Sequence, residues 1–414
     1  MISESITSQP ERAFVWFWLP GETAPVLAGR VDQAGPSLTF IYSSDYLASD
    51  GAIPLFTELP LRSGVQTPRR DIHGCIADAG PDSWGQRVIA NRLLASGVRE
   101  ATELTHLTYL ASAGPDRIGA LDFQVEEGPY IGSAPGNASL GELLDFAEKV
   151  EAGEPLPRSL EEGVLRGSSI GGARPKALLD DGDRKLIAKF GSSTDLYPVV
   201  QCEYVATRLA KLCGLDASEV ELRQVMDKQV LVIERFDRGG GRRRAMVSAL
   251  TILGLSEEEA RYASYADLAH LIRRDFRDPR KTLRELFSRI TFNILVSNLD
   301  DHARNQSAFW DGRDLELTPF YDVSPSPRTV GETKQVMAIG DDGWRFSQLA
   351  GCVERAATYQ LRRTEAEEIV DHQVETIKAG WEQVCDEASL TRVQRSGLMG
   401  KQFLNPFAFE TARS

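Results

Sequence analysis

Residues 279–298, PRKTLRELFSRITFNILVSN, place apolar side chains over a wide helical face, and such a helix is stable only where other elements cover it. A helical lobe is therefore the first expectation. A second helix of this kind, EEIVDHQVETIKAGWEQVC over 367–385, belongs with it, and Ile369, Val370, Val374, Ile377 and Trp381 read as core contacts. With 414 residues, 42% of them hydrophobic, the chain has material for that lobe and for one or two further domains.

The first helix stops in a polar stretch, VSNLDDHARNQSAF over 296–309, in which Asp300 is followed five residues later by Asn305. This is the spacing of a kinase catalytic loop. The aspartate would orient and deprotonate a hydroxyl, and the asparagine amide oxygen would ligate magnesium, which prefers hard oxygen donors. Asp301 competes for the first place, but Asp300 alone gives the five-residue step. A solvated turn at a helix C-terminus would use the same residue types, so both readings stand on this stretch. Further on, ELTPFYDVSPSP brings Asp322 to the end of an apolar, strand-like run, where a second metal-binding carboxylate would belong. Val323 and Ser324 replace the Phe and Gly of the commonest protein kinases, which excludes that type. An isolated aspartate at a strand end otherwise reads as a turn former.

Before the helical lobe the sequence is β-rich. FVWFWLP (14–20), SLTFIY (37–42) and IGALDFQV (118–125) read as strands, with helices over 81–97 and 102–112 between them; an aspartate caps the first helix and Gly97 closes it. From 126 to 165 the text turns to Gly, Pro, Ser and Glu around one amphipathic stretch, LGELLDFAEKVEAG, and reads as a linker with a helix. KALLDDGDRKLIAKF then gives two strands joined at DDGD, VVQCEYVATRLAKLCGL a helix ending near Gly214, and EVELRQV and QVLVIERF two more strands. The division expected is 1–125 as an N-terminal β-rich subdomain, 126–165 as the linker, 166–238 as one small lobe and 239–414 as an all-α C-terminal lobe, an α+β fold.

The small lobe carries its own candidates. RGSSIGGARPKALL, 166–179, matches neither common glycine-rich phosphate motif, yet Gly171 and Gly172 can present backbone N–H groups to an anion with Lys176 nearby; a simple turn is the other reading. Period two sends Lys189 to the face opposite Ala188 and Phe190, from where it can neutralise nucleotide phosphates if it points into a cleft, or reach solvent if it does not. Glu203 on the next helix could hold its ammonium. LVIERF would connect the lobes, with the backbone of Glu234 and Phe236, flanking Arg235, along an adenine edge; a buried strand with an exposed end is the plainer reading. The order glycine turn, strand lysine, helix glutamate, Asp with Asn at five, then Asp points to ATP- and Mg2+-dependent phosphoryl transfer between two lobes.

SSIGGARPKALL, LVIERFDR, LDDHARN and LTPFYDVSP, with DSWGQRVI and GPDRIGALDF in the N-terminal half, make nearly the whole chain resemble the HipA family of serine/threonine kinases, the toxins of bacterial toxin-antitoxin pairs. The resemblance implies an N-terminal subdomain joined to a two-lobed, protein-kinase-like core. It implies Asp300 as catalytic base, Asn305 and Asp322 as magnesium ligands and Lys189 as phosphate-binding lysine. The nucleotide would be lined by the glycine turn (Gly171, Gly172, Ala173, Arg174, Pro175, Lys176), the connection Glu234–Arg235–Phe236, His302, and Tyr321, Asp322, Val323 and Ser324. His302 could equally be a turn residue. It further implies self-phosphorylation of a glycine-loop serine, here Ser169 with Ser168 as its neighbour, as an off-switch, since a phosphate in that loop and the phosphates of ATP repel. The implied partners are a helix-turn-helix, HipB-like antitoxin, through which DNA is met only indirectly, and a protein substrate such as an aminoacyl-tRNA synthetase. Arg174 stands where the family often has Gln, and Asp301 where a small residue is frequent.

Other features narrow the class. The formal net charge of -13 disfavours direct nucleic-acid binding; the run RGGGRRRA at 238–245 could touch DNA phosphate but reads better as a solvated hairpin loop. Five scattered cysteines without a CxxC pair fit a reducing compartment, and with no secretory leader or membrane-length apolar window the expectation is a cytoplasmic protein. Two rivals are a small-molecule kinase with the same two-lobed site and a catalytically silent antitoxin-binding corepressor.

Overall fold

Four antiparallel strands in the order β3-β2-β1-β4 begin the chain: β1 Arg12–Phe17, β2 Val26–Ala34, β3 Ser37–Tyr42 and β4 Leu121–Gln124. The computed structural model describes residues 9–95, 104–132, 139–152, 174–192, 195–327 and 332–412. In β1 the alternation is plain, with Ala13, Val15 and Phe17 buried. β2 was not expected, because VLAGRVDQA interrupts its pattern with a glycine. That glycine is what the sheet needs: a Cβ on Gly29 would sit 2.1 Å from the Ile41 carbonyl oxygen. The helices between β3 and β4 include Gly74–Asp78, Ser83–Ala95 and His106–Ser112. The last starts four residues later than expected, where Thr105 accepts from the Thr108 N–H.

The next sheet is antiparallel in the order β5-β6-β8-β7, from β5 Lys176–Asp181, β6 Arg184–Phe190, β7 Val220–Val225 and β8 Lys228–Glu234. The two-residue turn between β5 and β6 places Gly182 at φ 61°, a conformation open to glycine at no steric cost. The helix Leu140–Ala152 is not a linker element. It opens with a reciprocal Ser139–Glu142 capping box and lays Leu143, Leu144 and Ala147 on Leu186, Ala188 and Val232 of this sheet. The helix Val199–Leu212 packs against β7 and β8 and also against the long C-terminal helix Arg363–Glu387.

The C-terminal part is built around Pro279–Leu295, capped by Asp278 with proline in the first turn and buried continuously from Arg289 to Leu295. The lobe is mostly helical but not all-α. β11 Met246–Ser248, β12 Ser307–Trp310 and β13 Leu315–Leu317 form an antiparallel sheet, after the small hairpin of β9 Arg238–Gly239 and β10 Arg242–Arg243. These strands are only two to four residues long, too short for a period-two signal.

The 238–245 run is a hairpin, but it is not solvated throughout. Arg238 is buried against Asp237 and the Gly119 carbonyl, and Arg243 stacks 3.6 Å over the Trp18 ring. Its arginines join the N-terminal module to the core. Arg235 does the same: its guanidinium reaches Asp116 Oδ1 at 3.0 Å, Asp237 Oδ2 at 2.8 Å and the Arg117 carbonyl at 2.7 Å.

Candidate functional site

Alternation along β6 buries Leu186, Ala188 and Phe190 and turns Lys189 the other way. There the Lys189 ammonium meets two carboxylates, Glu203 at 2.5 Å and Asp322. Burial works against its charge, but Asp322 and Glu203 outweigh that and hold the lysine protonated well above its usual range. For Asp322, burial pushes the carboxyl up, while Lys189, with help from Lys176 and His302, pulls it down to about 2. Three stretches more than a hundred residues apart at their extremes thus converge on one lysine. Glu203→Gln removes one charge-assisted contact, worth about 1.5–3 kcal/mol, and is expected to lower kcat/KM by about 10–100-fold in a phosphate-transfer assay, with Asp322 left as the lysine's carboxylate.

Asp322 occupies the left-handed region at φ 57°, uncommon outside glycine but accessible to Asp, and the conformation aims its side chain back at the lysine. Its neighbours fix it. The Tyr321 hydroxyl donates to the Arg304 carbonyl at 2.6 Å and accepts from Ser307 at 2.7 Å, Tyr197 donates to the Pro325 carbonyl, and the Ser326 N–H to the Ser297 carbonyl. Val323 is buried and Ser324 half-buried. The segment after Asp322 is therefore sewn to the loop that carries Asp300.

In that loop the two aspartates part company. Asp300 is exposed, and its carbonyl accepts from the His302 N–H at 2.9 Å and from Asn305 Nδ2 at 3.1 Å. With its nitrogen so used, Asn305 offers Oδ1 as a ligand atom. Asp301 is buried and accepts from Asn293 at 2.8 Å, from Gln306 at 2.9 Å and from Tyr265. It is the loop's internal anchor, a role its position in the sequence did not announce.

Lys176 lies opposite Lys189 in the β5–β6 register and is buried, its ammonium 3.3 Å from Asp82 of the N-terminal module. Arg174 forks onto Asp195 at 2.8 and 3.0 Å, and the Pro175 carbonyl accepts from Phe190. Gly171, Gly172, Ala173, Ser168 and Ser169 lie outside the described residues. At the connection between lobes, the Glu234 N–H is given to the Glu219 carbonyl, so contact with a base would use the Glu234 carbonyl. Arg235 departs from expectation: its N–H goes to the Lys185 carbonyl and its guanidinium to Asp116 and Asp237, a structural role rather than a nucleotide contact. Phe236 packs against Tyr321 and Phe309, ring centroids 5.7 and 5.8 Å away. Among the described residues no group of three or more His, Cys, Asp or Glu side chains could hold a metal on its own. Magnesium does not need one, since it takes one or two protein oxygens and completes its shell with water and phosphate.

A small antiparallel sheet with a lysine clamped by a helix carboxylate, over a helical lobe bearing an Asp-to-Asn loop, is the arrangement of a phosphotransferase of the protein-kinase kind. Family models for the HipA N-terminal domain and the HipA-like C-terminal domain match residues 22–124 and 168–381. The Y4mE protein of Sinorhizobium fredii is 28% identical over 347 residues, covering 75% of this chain and 80% of its own. The serine/threonine-protein kinase toxin HipA of Shewanella oneidensis is 26% identical over 340 residues, covering 75% of each. A solved Shewanella oneidensis complex of HipA, HipB and operator DNA shares the fold at a TM-score of 0.67 and 19% identity, over 95% of this chain and 99% of that one. The chain belongs to the HipA family and is a kinase, which implies ATP as its phosphoryl donor. Among the described residues no helix is long and apolar enough to cross a membrane.

Proposed function

We propose that this protein transfers the γ-phosphoryl group of ATP to a serine or threonine hydroxyl, as the toxin of a toxin-antitoxin pair. The observation that carries the reading is the Lys189 ammonium held between Glu203 and Asp322. In this reading Lys189 contacts nucleotide phosphate, Glu203 keeps it in place, and Asp300 takes the proton of the attacking hydroxyl. The oxygen donors Asn305 and Asp322 suit Mg2+, which when bound would neutralise charge on the β- and γ-phosphates. Asp322, which contacts Lys189, and Asn305 would be the residues that hold the cation. Phe236, Tyr321, Ser324 and His302 line the nucleotide, Val323 is a core residue instead, and Lys176 adds a second positive charge.

Incubation of the purified protein with ATP and Mg2+, read by intact mass, tests this; a gain of phosphate supports it, and none under any divalent cation counts against it. Ser169→Ala is expected to abolish that gain, and unchanged incorporation in the variant would remove Ser169 as the acceptor. The physical rationale is that a phosphoserine would bring nearly two negative charges to the glycine turn, which in this reading binds those of ATP. For substrate we infer a translation component such as an aminoacyl-tRNA synthetase, in a cytoplasmic setting that suits five buried free cysteines. Radiolabel transfer to synthetases rather than to small alcohols separates this from a small-molecule kinase. The partner inferred is a HipB-like antitoxin, since the related Shewanella protein was solved with HipB and its operator DNA.

A further inference from the structure

One short turn of the N-terminal module touches both the loop that carries Arg304 and the small sheet. Asp78 closes the helix Gly74–Asp78, and its carboxylate accepts from the Ser248 N–H at 2.7 Å and hydroxyl at 2.8 Å and from Arg304 Nη1 at 3.2 Å. Arg304 lies in the catalytic loop beside Asn305, and Glu257 accepts from its Nε at 2.7 Å. Four residues later Asp82 caps the helix Ser83–Ala95 by accepting from Gly85 N–H at 2.9 Å, while its other oxygen lies 3.3 Å from Lys176 Nζ. Lys176 begins β5 alongside Lys189. Four residues span at most about 14 Å, so Asp78 and Asp82 tie the small sheet to the catalytic loop across the width of the site. Both carboxylates are largely buried, and each is held by a backbone N–H as well as by its basic partner.

We propose that Asp78 and Asp82 are positioning residues for phosphoryl transfer, supplied in cis by the N-terminal module: Asp82 sets Lys176 on the nucleotide side, and Asp78 sets the catalytic loop through Arg304. This rests on the kinase site described above. In kinases switched by phosphorylation, an added phosphate orders a segment through new arginine pairs. Here a carboxylate built into the chain meets the catalytic-loop arginine, so the loop is ordered without prior modification. The N-terminal module is then part of the catalytic apparatus rather than an appended domain.

The two contacts predict different kinetic signatures. Asp82→Asn is expected to raise KM for ATP about tenfold with kcat within about threefold, because Lys176 acts on nucleotide binding. Asp78→Asn is expected to lower kcat about tenfold or more with KM little changed, because the loop acts on chemistry. In a Lys176→Met background Asp82→Asn should have no further effect on KM, since the pair acts as one unit. Melting midpoints measured without nucleotide separate these effects from general destabilisation. If Asp78→Asn is not recovered folded, Arg304→Gln removes the same contact from the other partner. Unchanged kinetic constants, or additive losses in the Lys176 background, overturn the proposal while the wild type still transfers phosphate. A wild type that transfers none sinks the kinase mechanism instead.

Discussion

Asp300→Asn, a replacement of the proposed general base, is expected to lower the rate of phosphate transfer by about 10²–10⁴-fold. The asparagine keeps the shape of the loop, because the contacts that Asp300 makes to His302 and Asn305 run through its backbone carbonyl. Its side chain is exposed, so the melting midpoint should stay near that of the wild type. ATP affinity should change little, and the loss should appear in kcat. The check is single-turnover transfer of labelled phosphate at saturating ATP; a rate within tenfold of the wild type would show that another group takes the proton. Asp301→Asn is the informative contrast. That side chain accepts from Asn293, Gln306 and Tyr265 inside the lobe, so its replacement should reduce stability together with activity.

Asp237→Ala is expected to cost about 3–5 kcal/mol of folding stability, as for other buried ion pairs broken from one side. Asp237 Oδ2 accepts from Arg235 at 2.8 Å, from Arg238 at 2.8 Å and from the Gly119 N–H at 2.8 Å. Without it two guanidinium groups sit in the seam between the N-terminal module and the core with Asp116 as their remaining carboxylate. Urea unfolding checks the size of the loss, and a change below about 1 kcal/mol would mean that water reaches the seam. The pH dependence has a definite sign. Burial pushes the carboxyls of Asp116 and Asp237 up, but Arg235 and Arg238 pull both below the usual range. Their stabilising contribution is therefore complete above about pH 4, the ordinary carboxylate value, and is lost as the pH falls further. Acid should loosen this seam, and added salt should do so much less because the pair is buried.

Much of the layout is legible in one dimension. The β5–β6 hairpin follows from alternation around DDGD, and the Lys189 face follows from the same period. The helices Val199–Leu212 and Pro279–Leu295 follow from their apolar spacing, with Gly214 at φ 81° just beyond the first of them. What misled was local weakness. LGELLDFAEKVEAG sits in Gly- and Pro-rich text and reads as part of a linker, yet its apolar stripe is what covers the small sheet. The run of arginines at 238–245 reads as surface because charge ordinarily is surface, and the carboxylate that admits Arg238 to the interior comes partly from Asp116, 122 residues earlier.

The order of the chemical groups along the chain, the two strands and the helix that present Lys189 and Glu203, and the five-residue step from Asp300 to Asn305 were all determined by sequence, because each depends on periodicity or spacing within a few turns of backbone. The meeting of Lys189 with Asp322, the choice of Asp301 as buried anchor and Asp300 as the exposed acid, and the contacts of Asp78 with Arg304 and of Asp82 with Lys176 were decided only by tertiary structure. Asp82 looks like a helix cap and is one; that its second oxygen also faces Lys176, 94 residues away, depends on how two modules pack. A carboxylate's local role is written in its neighbours along the chain, whereas its long-range partner is selected by burial, where an unpaired charge is too costly to leave alone.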